Sequence, residues 1–256
     1  YELYNSTGTK LKTIAAPAAE NFGYNASTNQ IFSGQYSNQT TIDLDDVASA
    51  TRYSLSPTPA DLSEPDSNGV DQSTNIGITP NEFTNGSTAT LFMVNLNGIS
   101  LNSPSAGMFT GTVGEVPLTS SLGGTCDTLI SDLSVDSVAH LVFFFGEFCS
   151  QIGVGQMPTS SGAPLTMSNY VFANLPQLPS DAGTWSGAGD PHAIATFNLA
   201  PVCSDCAAMF DATRSWVAII DLNKLLAAPR DTTDTHLVSA SYDLVGNGVV
   251  TYIPAM

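Results

Sequence analysis

The stretch Glu64-Pro65-Asp66-Ser67-Asn68-Gly69 places carboxylate or amide oxygens at alternate positions ahead of a glycine. Oxygens so spaced, with glycine sixth, are how an EF-hand-type loop wraps a calcium ion. Glu64 stands where that pattern has Asp, and Asn75 stands where it closes with Glu. The plainer reading is therefore a solvated loop, with Glu64, Asp66 and Asn68 as the candidate ligands. Sulfur chemistry is the second possibility. Cys126, Cys149, Cys203 and Cys206 make an even set that suits two disulfides in an oxidising compartment. The most local of the possible pairings joins Cys126 to Cys149 and Cys203 to Cys206. Cys203-Ser204-Asp205-Cys206 also has the spacing of a redox or zinc motif. No second CxxC, His pair or βαβ pattern accompanies it, which favours a structural bond. Asn5, Asn25, Asn38 and Asn85 each open a glycosylation sequon, although in a chain rich in Asn, Ser and Thr these mark surface turns first and glycans second. His140 sits beside an apolar run and reads as a core or edge residue, and His236 as a loop residue. A nucleophile elbow, HExxH, phosphate-cradling glycine loop and haem CxxCH are all missing, so no catalytic class has its signature.

Composition narrows the partners. Lys and Arg number 6 against 23 Asp and Glu, for a formal net charge of -17. Without a basic footprint, nucleic acid and anionic membrane surfaces are poor partners. Acidity of this kind keeps an exported protein soluble, and it leaves calcium or a cationic partner open. No apolar run is long enough for a membrane-spanning helix, the longest being His140 to Phe145. No signal peptide stands at Tyr1, so an exported chain would be a processed form or a piece of something longer.

The elements that must position these groups are strands. Trp216 to Asn223 is a strongly strand-forming run, and its ending recurs: Ile220-Asp221-Leu222-Asn223 matches Ile42-Asp43-Leu44-Asp45 and Val94-Asn95-Leu96-Asn97. A turn recurs too, as Asn25-Ala26-Ser27-Thr28-Asn29, Asp71-Gln72-Ser73-Thr74-Asn75, a weaker copy at Asp136-Ser137-Val138 and another at Asp211-Ala212-Thr213. Asn and Asp suit such turns because they hydrogen-bond their own backbone two residues on. The spacing defines units at about 20–55, 69–118, 125–176 and 189–226, with Met108 to Val113 as the last strand of the second. The fourth unit reads as compressed, with an inserted loop around Pro201 to Cys206. Leu222 to Ala228 has room for a turn or two of helix. Units of roughly 45 to 60 residues with four short strands each predict an all-β fold, a single β-propeller domain over 1–256 with five or six blades. The strands at 1–14 and the hairpin at 236–253 lack partners in sequence, and sharing one blade would close the ring.

Asp71 to Glu82, Val94 to Leu96, Trp216 to Leu222 and Pro191-His192-Ala193-Ile194-Ala195 carry a resemblance to secreted YVTN-type and NHL-like propeller proteins, over about half of the chain. The resemblance implies blades whose third strand ends in Ile-Asp-Leu and an axial channel lined by the innermost strands. In the calcium-dependent lactonases among such folds, acid and amide groups from different blades hold the metal in that channel. Glu20, Asn21, Asp190 and His192 stand near such positions, and the plainer role for His192 is a bond to a neighbouring backbone carbonyl. The sequence thus points to an extracellular or cell-surface, non-catalytic module that binds a protein or glycan ligand and needs no cofactor. The alternatives are a fibre or surface-layer subunit that self-associates through its terminal strands, and a calcium-dependent lactonase-like hydrolase.

Overall fold

A computed structural model describes residues 2–14, 22–34, 41–63, 65, 67–81, 89–99, 107–118, 130, 132–145, 151–174, 191–201, 203–211, 216–228 and 238–243. Sheet 1 contains β3 (Gly23–Asn25), β4 (Gln30–Gly34), β5 (Ile42–Asp46) and β6 (Thr51–Leu55). Sheet 2 contains β7 (Gly69–Asp71), β8 (Ile76–Asn81), β9 (Ala89–Asn95) and β11 (Val113–Leu118). Sheet 3 contains β12 (Asp132–Asp136), β13 (Leu141–Phe145), β14 (Gln151–Gln156) and β15 (Tyr170–Asn174). Sheet 4 contains β16 (Pro191–Leu199), β17 (Cys203–Asp211), β18 (Trp216–Asp221) and β19 (Val238–Asp243). Within each sheet consecutive strands pair antiparallel. A two-residue strand, β10 (Met108–Phe109), adds in parallel to β6, and β1 (Glu2–Tyr4) pairs with β2 (Lys10–Thr13) in a sheet of two.

Alternation along each strand explains why the sheets stack. In β13 every residue is buried, because both faces are covered. Leu141, Phe143 and Phe145 pack with Ala207, Met209 and Ile220 of sheet 4, whereas Val142 and Phe144 pack with Ile76, Ile78, Leu91 and Met93 of sheet 2. The same split runs through β9, whose Phe92 and Val94 face Phe32 and Leu44 of sheet 1. Three apolar interfaces therefore join four sheets in chain order, and the first strands β3, β7, β12 and β16 neighbour one another. Helix α1 (Leu222–Ala227) is capped by Asp221, which accepts from the Lys224 N–H, and buries Leu222 and Leu225 against the interface of sheets 3 and 4.

The recurring turn has one geometry. Asn25, Asp71 and Asp136 accept the N–H of Ser27, Ser73 and Val138, each at 2.9 Å. The fifth residue, Asn29, Asn75 or His140, is left-handed with φ of 57°, 56° and 55°, and its carbonyl accepts the N–H that follows the third strand, from Val47, Leu96 or Met157. Asn tolerates this region better than most residues.

Three expectations are corrected by the pairing. The last strand of the second unit is β11 rather than 108–113, since Met108 and Phe109 cross to the edge of sheet 1, where Phe109 is buried. The fourth unit is not compressed: its first hairpin pairs Leu199 with Cys203, Asn198 accepts the Ala200 N–H, and Asp211 opens the second hairpin instead. Residues 238–243 pair with β18 as the fourth strand of sheet 4, and not with 1–14. An open edge on β18 is nearer in sequence and takes that strand first. The rest of the expected C-terminal hairpin lies outside the described residues.

Asp46 opens a further turn of this kind, accepting from the Ser49 hydroxyl and from the N–H groups of Ser49 and Ala48. Partial burial pushes its carboxyl up, but those bonds and the positive charge of Lys12 hold it below the usual carboxylate value. A lowered pKa stabilises the fold above the unfolded value, and the benefit disappears as pH falls through the folded one. Ser49→Ala is thus expected to cost about 0.5–1.5 kcal/mol at neutral pH. The gap should narrow once the pH drops below about 4, the ordinary carboxylate range. Urea titrations across pH 2.5–7 check this; a gap independent of pH would refute the assignment.

Candidate functional site

The first strand of every sheet lines one groove of about 270 Å³. Glycine lets these strands approach. A Cβ on Gly23 would stand 2.7 Å from the Gly69 carbonyl carbon, and one on Gly69 would stand 2.5 Å from Val135 Cγ2, so only glycine fits where one backbone passes another. Thr196 Oγ1 donates to the Val135 carbonyl at 2.7 Å and ties β16 to β12. The described residues that line the groove include Phe22, Tyr24, Gln72, Ser134, Ser137 and Asn68. None of the described lining residues is Asp, Glu, His, Lys, Arg or Cys. Phe22 and Tyr24 are 46% and 44% exposed, although most large apolar side chains among the described residues are buried.

Next to the groove, the repeated turns interlock from sheet to sheet. Asn25 Nδ2 donates to Asn75 Oδ1 at 2.6 Å, and His140 Nδ1 lies 2.7 Å from Asp71 Oδ2. Each bond joins the first position of one turn to the fifth position of the next. Between them, the Ala26 N–H donates to Gln72 Oε1 and the Gln72 N–H to Ser137 Oγ. Sequence reading recognised the turns but not this ladder, and it read His140 as a core or edge residue. The available signal was that the fifth position holds Asn75 and His140, residues able both to adopt a left-handed φ and to bond outward.

Asn68 is the one proposed calcium ligand that falls within the described residues. It is 2% exposed and donates Nδ2 to the Pro65 carbonyl at 3.1 Å. Gly69–Asp71 is strand β7, which separates Asn68 from Asn75 at the twelfth position of the calcium-loop pattern. Ser67 donates to Asp132, which also accepts the Leu133 N–H. Glu64 and Asp66 lie outside the described residues, as do Glu20, Asn21 and Asp190. His192 stands on β16 opposite Phe210, and only its backbone is described. Among the described residues no cluster of three or more His, Cys, Asp or Glu could hold a metal. Cys203 and Cys206 form a disulfide at the start of β17, both buried; Cys126 and Cys149 lie outside the described residues. Asn5 is exposed in the β1–β2 turn, where its Oδ1 accepts the N–H groups of Thr7 and Thr9. Asn25 is 1% exposed, with its Nδ2 engaged by Asn75, and Asn38 and Asn85 lie outside the described residues.

No helix of the described residues is long and apolar enough to cross a membrane. No family model matches the chain, and no curated protein matches it. Solved structures do. A chain of a nidogen/laminin complex is 12% identical with a TM-score of 0.51, the match covering 86% of this chain and 66% of that one. A functionally unknown protein from Desulfotomaculum acetoxidans DSM 771 is 13% identical with a TM-score of 0.51, covering 87% of this chain and 61% of that one. The present chain thus spans less than two thirds of the length of these two proteins. At such identities the likeness concerns the fold alone: all-β, with the stacked four-stranded antiparallel sheets of a propeller.

Proposed function

We propose that the four sheets are blades of an extracellular β-propeller of five or six blades, of the YVTN or NHL kind, with the β1–β2 hairpin contributing to the closing blade. In this reading the protein is a non-catalytic binding module, and its ligand enters the groove along the innermost strands. The observation that carries it is the lining: mostly hydroxyl, amide and backbone groups, with no carboxylate, imidazole, amine, guanidinium or thiol among the described lining residues. General acid-base chemistry most often places a His or carboxylate within hydrogen-bond reach of the substrate. The Cys203–Cys206 disulfide supports an oxidising compartment.

The test sets this reading against a calcium-dependent hydrolase. Elemental analysis of the dialysed protein should find no stoichiometric calcium, and lactone hydrolysis assays with added calcium should show no turnover. One retained calcium per chain, together with turnover that Asn68→Ala or His192→Ala abolishes, would overturn it.

A second reading, assembly by strand addition, is favoured by one observation. The β1–β2 sheet pairs with no other strand among the described residues, and Tyr4 and Leu11 on it are exposed. Within the molecule, Lys12 Nζ holds the hairpin to the Val47 and Ala48 carbonyls. Deleting residues 1–17 is expected to lower the melting temperature of a monomer. Unchanged stability with loss of a larger assembly in light scattering would establish strand addition instead.

A further inference from the structure

We propose that Asn5, in the turn of the β1–β2 hairpin, is the acceptor of an N-linked glycan and that Asn25 is not, an inference that rests on the export read from the Cys203–Cys206 disulfide. These are the two sequons that fall within the described residues, and their local geometry is the same. Asn5 Oδ1 accepts the Thr7 N–H at 3.0 Å and the Thr7 hydroxyl at 2.7 Å. Asn25 Oδ1 accepts the Ser27 N–H at 2.9 Å and the Ser27 hydroxyl at 2.7 Å. Both turns therefore set the hydroxyl of the third sequon residue against the acceptor amide, so turn geometry does not choose between them.

Burial and the amide nitrogen do choose. Every residue from Asn5 to Lys10 is exposed, and a Cβ built on Gly8 in the same turn would meet nothing within 4 Å. Asn5 Oδ1 also accepts the Thr9 N–H at 2.8 Å, which holds the oxygen side of the amide. Its Nδ2, the atom that takes a glycan, has no hydrogen-bond partner among the described residues. In the transfer that nitrogen attacks the anomeric carbon of a lipid-diphosphate-linked oligosaccharide and gives up a proton. The bond from that carbon to the phosphate oxygen breaks, and the lipid diphosphate leaves. Asn25, by contrast, is 1% exposed, and its Nδ2 donates to Asn75 Oδ1 at 2.6 Å across the joint between sheets 1 and 2. A sugar on that nitrogen would have to occupy the joint. Transfer acts on the chain before it folds, so a glycan at Asn25 would keep sheets 1 and 2 from joining, whereas one at Asn5 leaves each bond of its turn in place. A bulky hydrophilic group there also solubilises a hairpin that exposes Tyr4 and Leu11.

The experiment is site mapping on the full chain, secreted behind a signal peptide from a eukaryotic host. Folded protein is selected by its resistance to limited proteolysis, then deglycosylated enzymatically in heavy-oxygen water and digested. Mass spectrometry reads which Asn carries the isotope mark of a former glycan and whether Cys203 and Cys206 are bonded. The mark is expected at Asn5 and absent from Asn25. On gels, Asn5→Gln and Thr7→Ala should each lose the mass of one glycan, while Thr7→Ser, which keeps the sequon, should retain it. Once deglycosylated, all three should melt close to the parent, since the exposed turn supports no core contact. If a variant is not secreted, the map of the parent decides alone. An unmarked Asn5 in molecules whose disulfide is intact would overturn the proposal, and so would folded protein marked at Asn25. Secreted chains with both cysteines reduced would instead overturn the export reading beneath it, so the state of the disulfide separates the two failures.

Discussion

Arg52→Ala is expected to destabilise the protein by about 3–5 kcal/mol, because it strands two buried carboxylates. Asp43 and Asp45 project from one face of β5, and both side chains are 0% exposed. Arg52, opposite Asp45 on β6, donates Nε and Nη2 to the two oxygens of that carboxylate at 2.8 and 2.7 Å. Its Nη1 lies 3.7 Å from Asp43 Oδ2, whose other oxygen accepts from Ser54 at 2.6 Å. One planar guanidinium is therefore shared by a pair of acids next to each other on a buried face. Lysine lacks the fork that grips both oxygens of Asp45, so Arg52→Lys should recover only part of the loss. Urea unfolding at neutral pH measures both variants. A cost under 1 kcal/mol for Arg52→Ala would show that the two carboxylates are stabilised without it.

The second large effect lies at the interface of sheets 2 and 3. Phe144 is 0% exposed, meets Phe172 edge-on at 5.4 Å and 75°, and covers Gly153 on the neighbouring strand. Phe144→Ala should cost about 3–5 kcal/mol, as expected when a buried ring is deleted from a packed core. Gly153→Ala fails in the opposite sense, since its Cβ would stand 2.1 Å from the Phe144 ring. Overpacking of that kind costs typically about 1–3 kcal/mol. The two changes touch, so their costs should not add. In the Phe144→Ala background the new methyl group enters vacated space, and Gly153→Ala should become nearly neutral or stabilising. Additive costs in a double-mutant cycle would disprove the ring-over-glycine contact.

How much of this could be read from the chain differs by element. The turns at Asn25 and Asp71 were legible because their signature is local: an acid or amide bonding two residues on, then a left-handed Asn. Strands β3 to β9 followed from them. In sheet 4 the same local rule misled, because Asp211 resembles the turn residue while the true first turn carries Pro201 and precedes the cysteine pair. A local signal cannot say which of two hairpins it belongs to, and only pairing decides. Asp43 and Asp45 were read as the ending of a strand. Their burial was hidden because it depends on Arg52 across the hairpin, a contact that needs the register from Asp46 to Thr51. The groove was anticipated in kind, as a channel between innermost strands. Its lining was not, since Ser134, Gln72 and Tyr24 belong to three different repeats and share no motif.

The side-chain bonds that pass from one turn to the next have a consequence for how such a chain could grow. Asn25 reaches Asn75 and Asp71 reaches His140, so the second repeat carries, at the two ends of its single five-residue turn, both halves of the joint. A duplicated repeat inserted in frame would bring its own donor and its own acceptor, and would meet matching partners on either side without any compensating change. Arrays of different length could descend from one ancestral unit by copying alone. The positions free to diverge afterwards would be the groove-facing residues between the joints, which the joints hold in place but do not use.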